Sequence, residues 1–451
     1  MRRLAVVVLV VLALAAAGFS IAFSRDAAAH RGRILPGVSI HAVPVGNLTP
    51  AQARTRLEAV VAARLARTLD VRAGGPLAQP TLADLGVRAE YEEALSAAYR
   101  LGREAGVLRR LQTRWRLRAG IDVPLRFSQD DGRIRSYAAK LAAGVARDPR
   151  DAQVTVVEGE VVLTQQSVDG RTLDPEATAA RIRDALAREE WVVEAVVSVK
   201  RPRLTTEAAK RITTRLAGYT TRFVNMPNRN HNIALAASKL RGVLLMPGED
   251  FSFNAVVGPR TAAEGYLSAP IIVNNILVPG DGGGVCQVSS TLFNVALLAD
   301  LPILVRSNHS RPVAYLPIGR DATVVYGALD LRFRNTTGAP ILLWSSVSGL
   351  RLSIAAYGAA EAARQVSIVV TNLRVIPPPD GTVTRKDPEL AAGTTVIDPP
   401  KPGFRVQTYR VVERDGVEVK RELIARSVYA ALPRTIRIGT KGENAPSAAG
   451  P

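Results

Sequence analysis

The sequence predicts a multidomain α+β protein: an N-terminal transmembrane helix, two small α+β repeats, a larger α+β domain and a C-terminal β-rich module. Three observations carry that expectation. The run from Leu4 to Phe23 holds no charge. Strand-like and helix-like segments alternate from residue 35 to residue 361, and beyond a proline-rich break the pattern turns to period two. The chain of 451 residues is also too long for one core.

Roughly twenty apolar residues are enough to span a bilayer, so residues 1–23 read as an anchor. Arg2 and Arg3 favour a cytoplasmic N-terminus and place the rest outside. Ala27-Ala28-Ala29 would suit cleavage of a signal peptide, but the apolar run is longer than a signal peptide needs. On either reading the folded mass is extracytoplasmic. Residues 24–34 read as a tether.

Strand signals at Gly37–Ile40 and Val43–Val45 lead to a helix start with Thr49 as N-cap, Pro50 in the first turn and Gln52 as capping-box partner. A similar design follows later: strands Val154–Val157 and Val161–Leu163 about a Glu158-Gly159 turn, then Leu173-Asp174-Pro175 opening a helix to about Arg188. Two related modules, 35–118 and 119–203, are expected. Tyr91 to Leu117 reads as one basic helical stretch, a solvated surface face before a membrane-lying one.

The third domain, 204–361, is expected to run from a helix at 205–217 to a strand at Tyr219–Val224 and a helix opening at Asn228–Asn232. A helix follows Cys286, and a meander over Leu329–Arg334, Pro340–Ser345 and Leu350–Ala356 closes the domain. Phe404–Glu413 and Val417–Leu423 alternate about Asp415-Gly416, which marks a hairpin in a β module over 382–440. Residues 441–451 have the composition of a disordered tail.

A net charge of +19 raises nucleic acid as a partner. Exported placement, few aromatic residues and no basic segment interleaved with aromatics exclude it. A basic exterior instead suits anionic wall polymers and lipid head groups.

Cys286 is the only cysteine, so it has no internal disulfide partner. It follows Gly282-Gly283-Gly284, and Val288, Leu292, Val295 and Ala299 recur after it at helical spacing. That puts the thiol at a helix N-terminus, where orphan N–H groups and the macrodipole favour a thiolate. His309 and Asp321 follow, each expected on or beside a strand. Nucleophile, base and orienting carboxylate in this order suit a cysteine acyl-transfer centre, with amides of Val285–Gln287 as an oxyanion hole. A lone cysteine is more commonly a small buried hydrophobe, and a lone histidine a satisfied structural residue.

Beyond these readings, the third domain resembles the VanW family, named for an accessory protein of some vancomycin-resistance clusters. The resemblance rests on Asn228–Ile233, Leu245–Asn254, Val257–Thr261, Gly282–Leu292, Asn308-His309-Ser310, Gly319–Val324 and Phe333-Arg334-Asn335. The N-terminal modules resemble peptidoglycan-binding repeats. Asp415–Val419, Arg421-Glu422 and Tyr429 resemble the G-five domain, a wall-associated β module. These resemblances imply an envelope protein that meets peptidoglycan or its precursors, in a setting of glycopeptide resistance or wall maintenance, and imply no reaction.

Two functions therefore stand side by side. One is an acyl-transfer enzyme built on Cys286, His309 and Asp321 and acting on wall peptides. The other is a binder in which Gly282, Gly283, Gly284 and Gln287 let a ligand approach while Arg229, Arg260 and Arg320 pair with carboxylates or phosphates. A metal site on His231, His309 and Asp321 ranks last because no close ligand pair exists. No cofactor is expected.

Overall fold

The computed structural model describes residues 28–273 and 276–441, with 6–11, 14, 17, 18 and 25 before them. The expected anchor at 1–23 and tail at 441–451 fall largely outside the described residues. Among the described residues no helix is long and apolar enough to cross a membrane. The chain forms two compact units, one of residues up to Pro149 with Asp169–Lys200, the other of Arg150–Val168 with everything from Arg201.

The first unit holds two small cores. One gathers Ile34, Val38, Ile40 and Leu57 with Leu95, Leu117 and Val123. The other gathers Leu69, Val71 and Leu85 with Ile134, Ile182 and Val193. The expected seam at 118/119 does not separate them. Strand Val38–Ile40 pairs in parallel with Ile121–Val123, and Asp70–Arg72 pairs in parallel with Val192–Glu194. Strands of three residues are too short to stand in a hairpin of their own, and each core completes its sheet from across the seam. The Thr49 capping box forms as expected, and Asp174 caps the later helix. The single helix expected over Tyr91–Leu117 is two, Tyr91–Arg100 and Val107–Leu117. Between them Gly102 and Gly106 take φ of 68° and 95°, which a right-handed helix cannot contain.

In the second unit the hairpin of Gln153–Val157 and Glu160–Gln165 lays Val154, Val156 and Val161 against Ile212, Leu342 and Tyr357. It thus leaves the 119–203 module to which its sequence position assigns it. The helix expected at 205–217 stops after Thr206–Lys210, because the β-branched pair Thr213-Thr214 favours the extended chain. Along the chain then come β1 (Thr214–Arg222), α1 (Pro227–Leu240), β2 (Val243–Leu245), α2 (Val285–Leu298), β3 (Ile303–Val305), β4 (Arg332–Arg334), β5 (Ile341–Ser348) and β6 (Arg351–Gly358). An antiparallel sheet in the order β1-β6-β5-β2 backs the core.

Helix α2 occupies the middle of that core, with Val285 and every residue from Gln287 to Leu297 buried. The β module follows, with β7 (Gln365–Ile376), β8 (Gly403–Arg414) and β9 (Val417–Tyr429) in one antiparallel sheet. Asp415 and Gly416 both take positive φ, which gives the tight turn read from the sequence. The module begins earlier than residue 382 and has no separate footing, since Ile368 of β7 and Ile424 of β9 pack against the core around α2.

Candidate functional site

The site is assembled where α2 begins. Gly284 is the N-cap at φ 108°, and Cys286 is the second residue of the helix. The glycines before it serve close packing. A Cβ on Gly283 would lie 2.6 Å from the Ala269 carbonyl oxygen, one on Gly282 2.7 Å from Arg260 Cβ, and one on Gly284 2.9 Å from Arg229 Cγ. A side chain therefore has no room at any of the three. Asn232, fully buried, holds the loop from below: its amide donates to the carbonyls of Leu267 and Gly283, and its oxygen accepts the Leu267 N–H. Its place in a polar helix opening gave no hint of that clamp.

Cys286 is partly exposed. Its sulfur lies 3.6 Å from the Thr323 hydroxyl and 3.5 Å from the Val324 carbonyl. His309 and Asp321 lie on the long loop between β3 and β4, not on strands, because Pro312, Pro317 and Gly319 interrupt the extended runs. The His309 ring Nδ1 is 2.6 Å from Asp321 Oδ2, and the His309 backbone N–H donates to the same oxygen at 2.7 Å. With Nδ1 committed there, Nε2 is the ring nitrogen left for the Cys286 thiol, to whose charge the imidazole couples. His309 is 6% exposed and Asp321 1%.

Burial opposes ionisation of the thiol, but the hydrogen bond and positive charge of His309 outweigh it and bring Cys286 down to about 7. Burial likewise opposes charge on the imidazole, and its bonds to Asp321 and Cys286 lift His309 to about 9. The Asp321 carboxyl is also buried, yet its bonds to His309 and the charge of Arg306 hold it below the ordinary carboxylate range.

Two residues at this carboxylate escaped the sequence reading. Arg306 donates from Nη2 to Asp321 Oδ1 at 3.1 Å and from Nε to the Asp321 carbonyl at 2.7 Å. Tyr429, from β9, donates its hydroxyl to Oδ1 at 2.5 Å. Tyr429 appeared in the sequence only as part of the β-module pattern.

The arginines divide. Arg229 donates to Gln287 Oε1 at 2.8 Å, and Gln287 in turn donates to Thr221 and to the Arg222 carbonyl. Arg260 bonds Asn254 through Nη1 at 2.7 Å, while its Nε and Nη2 are buried without a partner. Both cations are close enough to interact with a charge on Cys286. Arg320 turns away, bonded to Asn294 Oδ1 and lying 5.0 Å from the Tyr219 ring centre. His231 meets the Gly265 carbonyl and does not join His309 and Asp321. Of the two backbone donors flanking the thiol, the Val285 N–H binds the Gly282 carbonyl and the Gln287 N–H the Gly284 carbonyl. Those two are thus committed elsewhere, and of the three amides expected to form an oxyanion hole the Cys286 N–H is the one left for that role.

Comparison with known proteins matches three segments of the chain. Residues 228–357 match the model for "VanW like protein", residues 78–192 the model for "Putative peptidoglycan binding domain", and residues 369–441 the model for the G5 domain. Among curated proteins, "Uncharacterized protein YoaR" of Bacillus subtilis is 43% identical over 178 residues, which are 39% of this chain and 56% of the relative. "Vancomycin B-type resistance protein VanW" of Enterococcus faecalis is 37% identical over 122 residues, 26% of this chain and 44% of the relative. The chain thus spans about half the length of each of these relatives. Two solved structures, "IgA1 Protease G5 domain structure" and "Crystal structure of HP0197-G5", are 25% and 21% identical over 17% of this chain and cover 94% and 99% of theirs. Their TM-scores of 0.10 and 0.09 are too low to bear on fold or function. The chain therefore carries a domain of the peptidoglycan-binding type, a VanW domain and a G5 domain in that order, and its thiol centre belongs to the VanW domain.

Proposed function

We propose that the protein is an extracytoplasmic cell-wall enzyme that transfers an acyl group of a stem peptide through Cys286. One observation carries the reading: a buried His309 imidazole is bonded to Asp321 through Nδ1 and couples to the charge of the Cys286 thiol. The Cys286 sulfur, as thiolate, attacks an amide carbonyl carbon. Protonated His309 gives its proton to the departing amine as the C–N bond breaks, which leaves a thioester. A second amine, or water, then attacks the thioester, passes its proton back to His309 and restores the thiolate.

The two unpartnered nitrogens of Arg260 suit a carboxylate on the substrate, and Arg229 adds a second cation beside the thiol. The domain at 78–192 would hold the enzyme on peptidoglycan, and the apolar run Leu4–Phe23 would anchor it in the membrane with the bulk outside. Rearranged stem peptides would alter glycopeptide susceptibility, the trait in the name of the Enterococcus relative.

The test is to incubate the protein with purified sacculi, digest the glycan and resolve the muropeptides by mass. New amide links or shortened stems are expected with the wild type and are absent with Cys286→Ala. Bound sacculi with an unchanged muropeptide profile would leave a wall-binding protein and no enzyme.

A further inference from the structure

We propose that the β module completes the thiol centre: Tyr429, with Ser427 acting through Arg306, positions the Asp321 carboxylate on which the His309 imidazole rests. This inference depends on the acyl-transfer reading of that centre. The module matches a family model of its own, so a wall-contacting appendage is all that its place in the chain suggests. The contacts say more.

Asp321 Oδ2 is occupied by the two His309 donors. Its other oxygen, Oδ1, takes Arg306 and Tyr429. The phenol cannot swing, because its oxygen also accepts the Gly319 N–H at 2.8 Å, two residues before the carboxylate. Tyr429 is 1% exposed, so water does not replace it. Ser427 lies two residues back on the same strand and therefore faces the same way. Its hydroxyl accepts from Arg306 Nη1 at 2.7 Å, fixing the guanidinium that serves Oδ1.

The backbone beside these side chains is pinned as well. Asn308 donates to the Val428 carbonyl at 2.8 Å, and the Ala430 N–H donates to the Ser310 carbonyl at 2.7 Å, one bond on either side of His309. Thr408 of β8 donates to the Gly319 carbonyl at 2.9 Å. A Cβ on Gly319 would lie 2.6 Å from that hydroxyl oxygen, and its φ of 87° suits glycine, so the loop lies directly on the module. A tyrosine serving packing alone would not need to end on the carboxylate that orients the base. This one fixes the plane of the carboxylate, and with it the direction of the imidazole toward sulfur.

The experiment is the pH dependence of Cys286 alkylation by iodoacetamide in the full chain, compared across wild type, His309→Ala, Tyr429→Phe and Tyr409→Phe. Tyr409 is a neighbouring tyrosine whose hydroxyl meets Gln407 and not the carboxylate. Tyr429→Phe is expected to slow labelling at pH 7 about tenfold, the scale of one hydrogen bond to a charged group, and to move the acid limb upward. Tyr409→Phe should follow the wild type. Wild-type rate and profile in Tyr429→Phe, alongside a slowed His309→Ala, would overturn the proposal and leave the acyl-transfer reading standing. An ordinary thiol profile in the wild type would overturn both. If Tyr429→Phe lacks a cooperative melt, Ser427→Ala decides: slower labelling in the same direction supports the positioning role, and an unchanged profile removes it.

Discussion

Cys286 and His309 hold one another in charged form. Between about 7, where the thiol ionises, and about 9, where the imidazole loses its proton, the pair is thiolate and imidazolium, and the two values belong to the pair together. The kcat/KM of acyl transfer is therefore expected to rise with pH through about 7 and to fall through about 9, a bell that a pH-rate series reads directly. Alkylation needs only the thiolate and should show the rise without the fall. Removing the imidazole with His309→Ala should return the thiol toward its free range of about 8.5 and slow labelling at pH 7 by an order of magnitude or more. These residues were legible because cysteine and histidine are scarce in this chain and stand in glycine-rich or proline-rich surroundings. Arg306 and Tyr429 were not. Arg306 sits in no motif, Tyr429 entered only through the β-module pattern, and the bond from Tyr429 crosses 108 residues to its carboxylate, a juxtaposition that no local pattern encodes.

Helix α2 explains both what periodicity can see and what it misses. Val288, Leu292 and Val295 marked a helix correctly, but their spacing said nothing of the face formed by the polar residues between them. That face is buried too. Ser289 and Ser290 donate to the Ala322 carbonyl, Ser290 accepts the Ala322 N–H, and Asn294 donates to the Arg320 carbonyl, so the helix grips both sides of Asp321. A polar stripe satisfied by loop backbone looks in sequence like one satisfied by water. Two consequences follow. Leu292→Ala, at a site with no exposure, should cost about 2–5 kcal/mol in a denaturant melt. Gly283→Ala would press a methyl against the Ala269 backbone, so it should lower the melting temperature and displace the thiol, a loss visible as slower alkylation in the protein that remains folded.

Across the whole molecule, the order of domains was readable and their edges were not. Composition and turn residues follow the chain, whereas cores follow space. The strand pairings of the first unit cross the expected seam, the Gln153–Gln165 hairpin serves the second unit, and the β module shares the core around α2. Net charge acts at this scale as well. A formal +19 predicts that binding to purified sacculi bearing anionic polymers weakens as sodium chloride rises from about 0.05 to about 0.5 M, where screening shortens to a few ångströms. Cosedimentation at the two salt concentrations measures it, and salt-independent binding would assign recognition to uncharged contacts. The placement of Tyr429 also has a consequence in time. A ribosome releases Cys286, His309 and Asp321 well before the strand that ends at Tyr429, so a nascent or prematurely terminated chain carries the nucleophile without its last support. On that proposal reactivity would depend on synthesis reaching the β module, and a chain ending before Tyr429 would label more slowly than one that includes it.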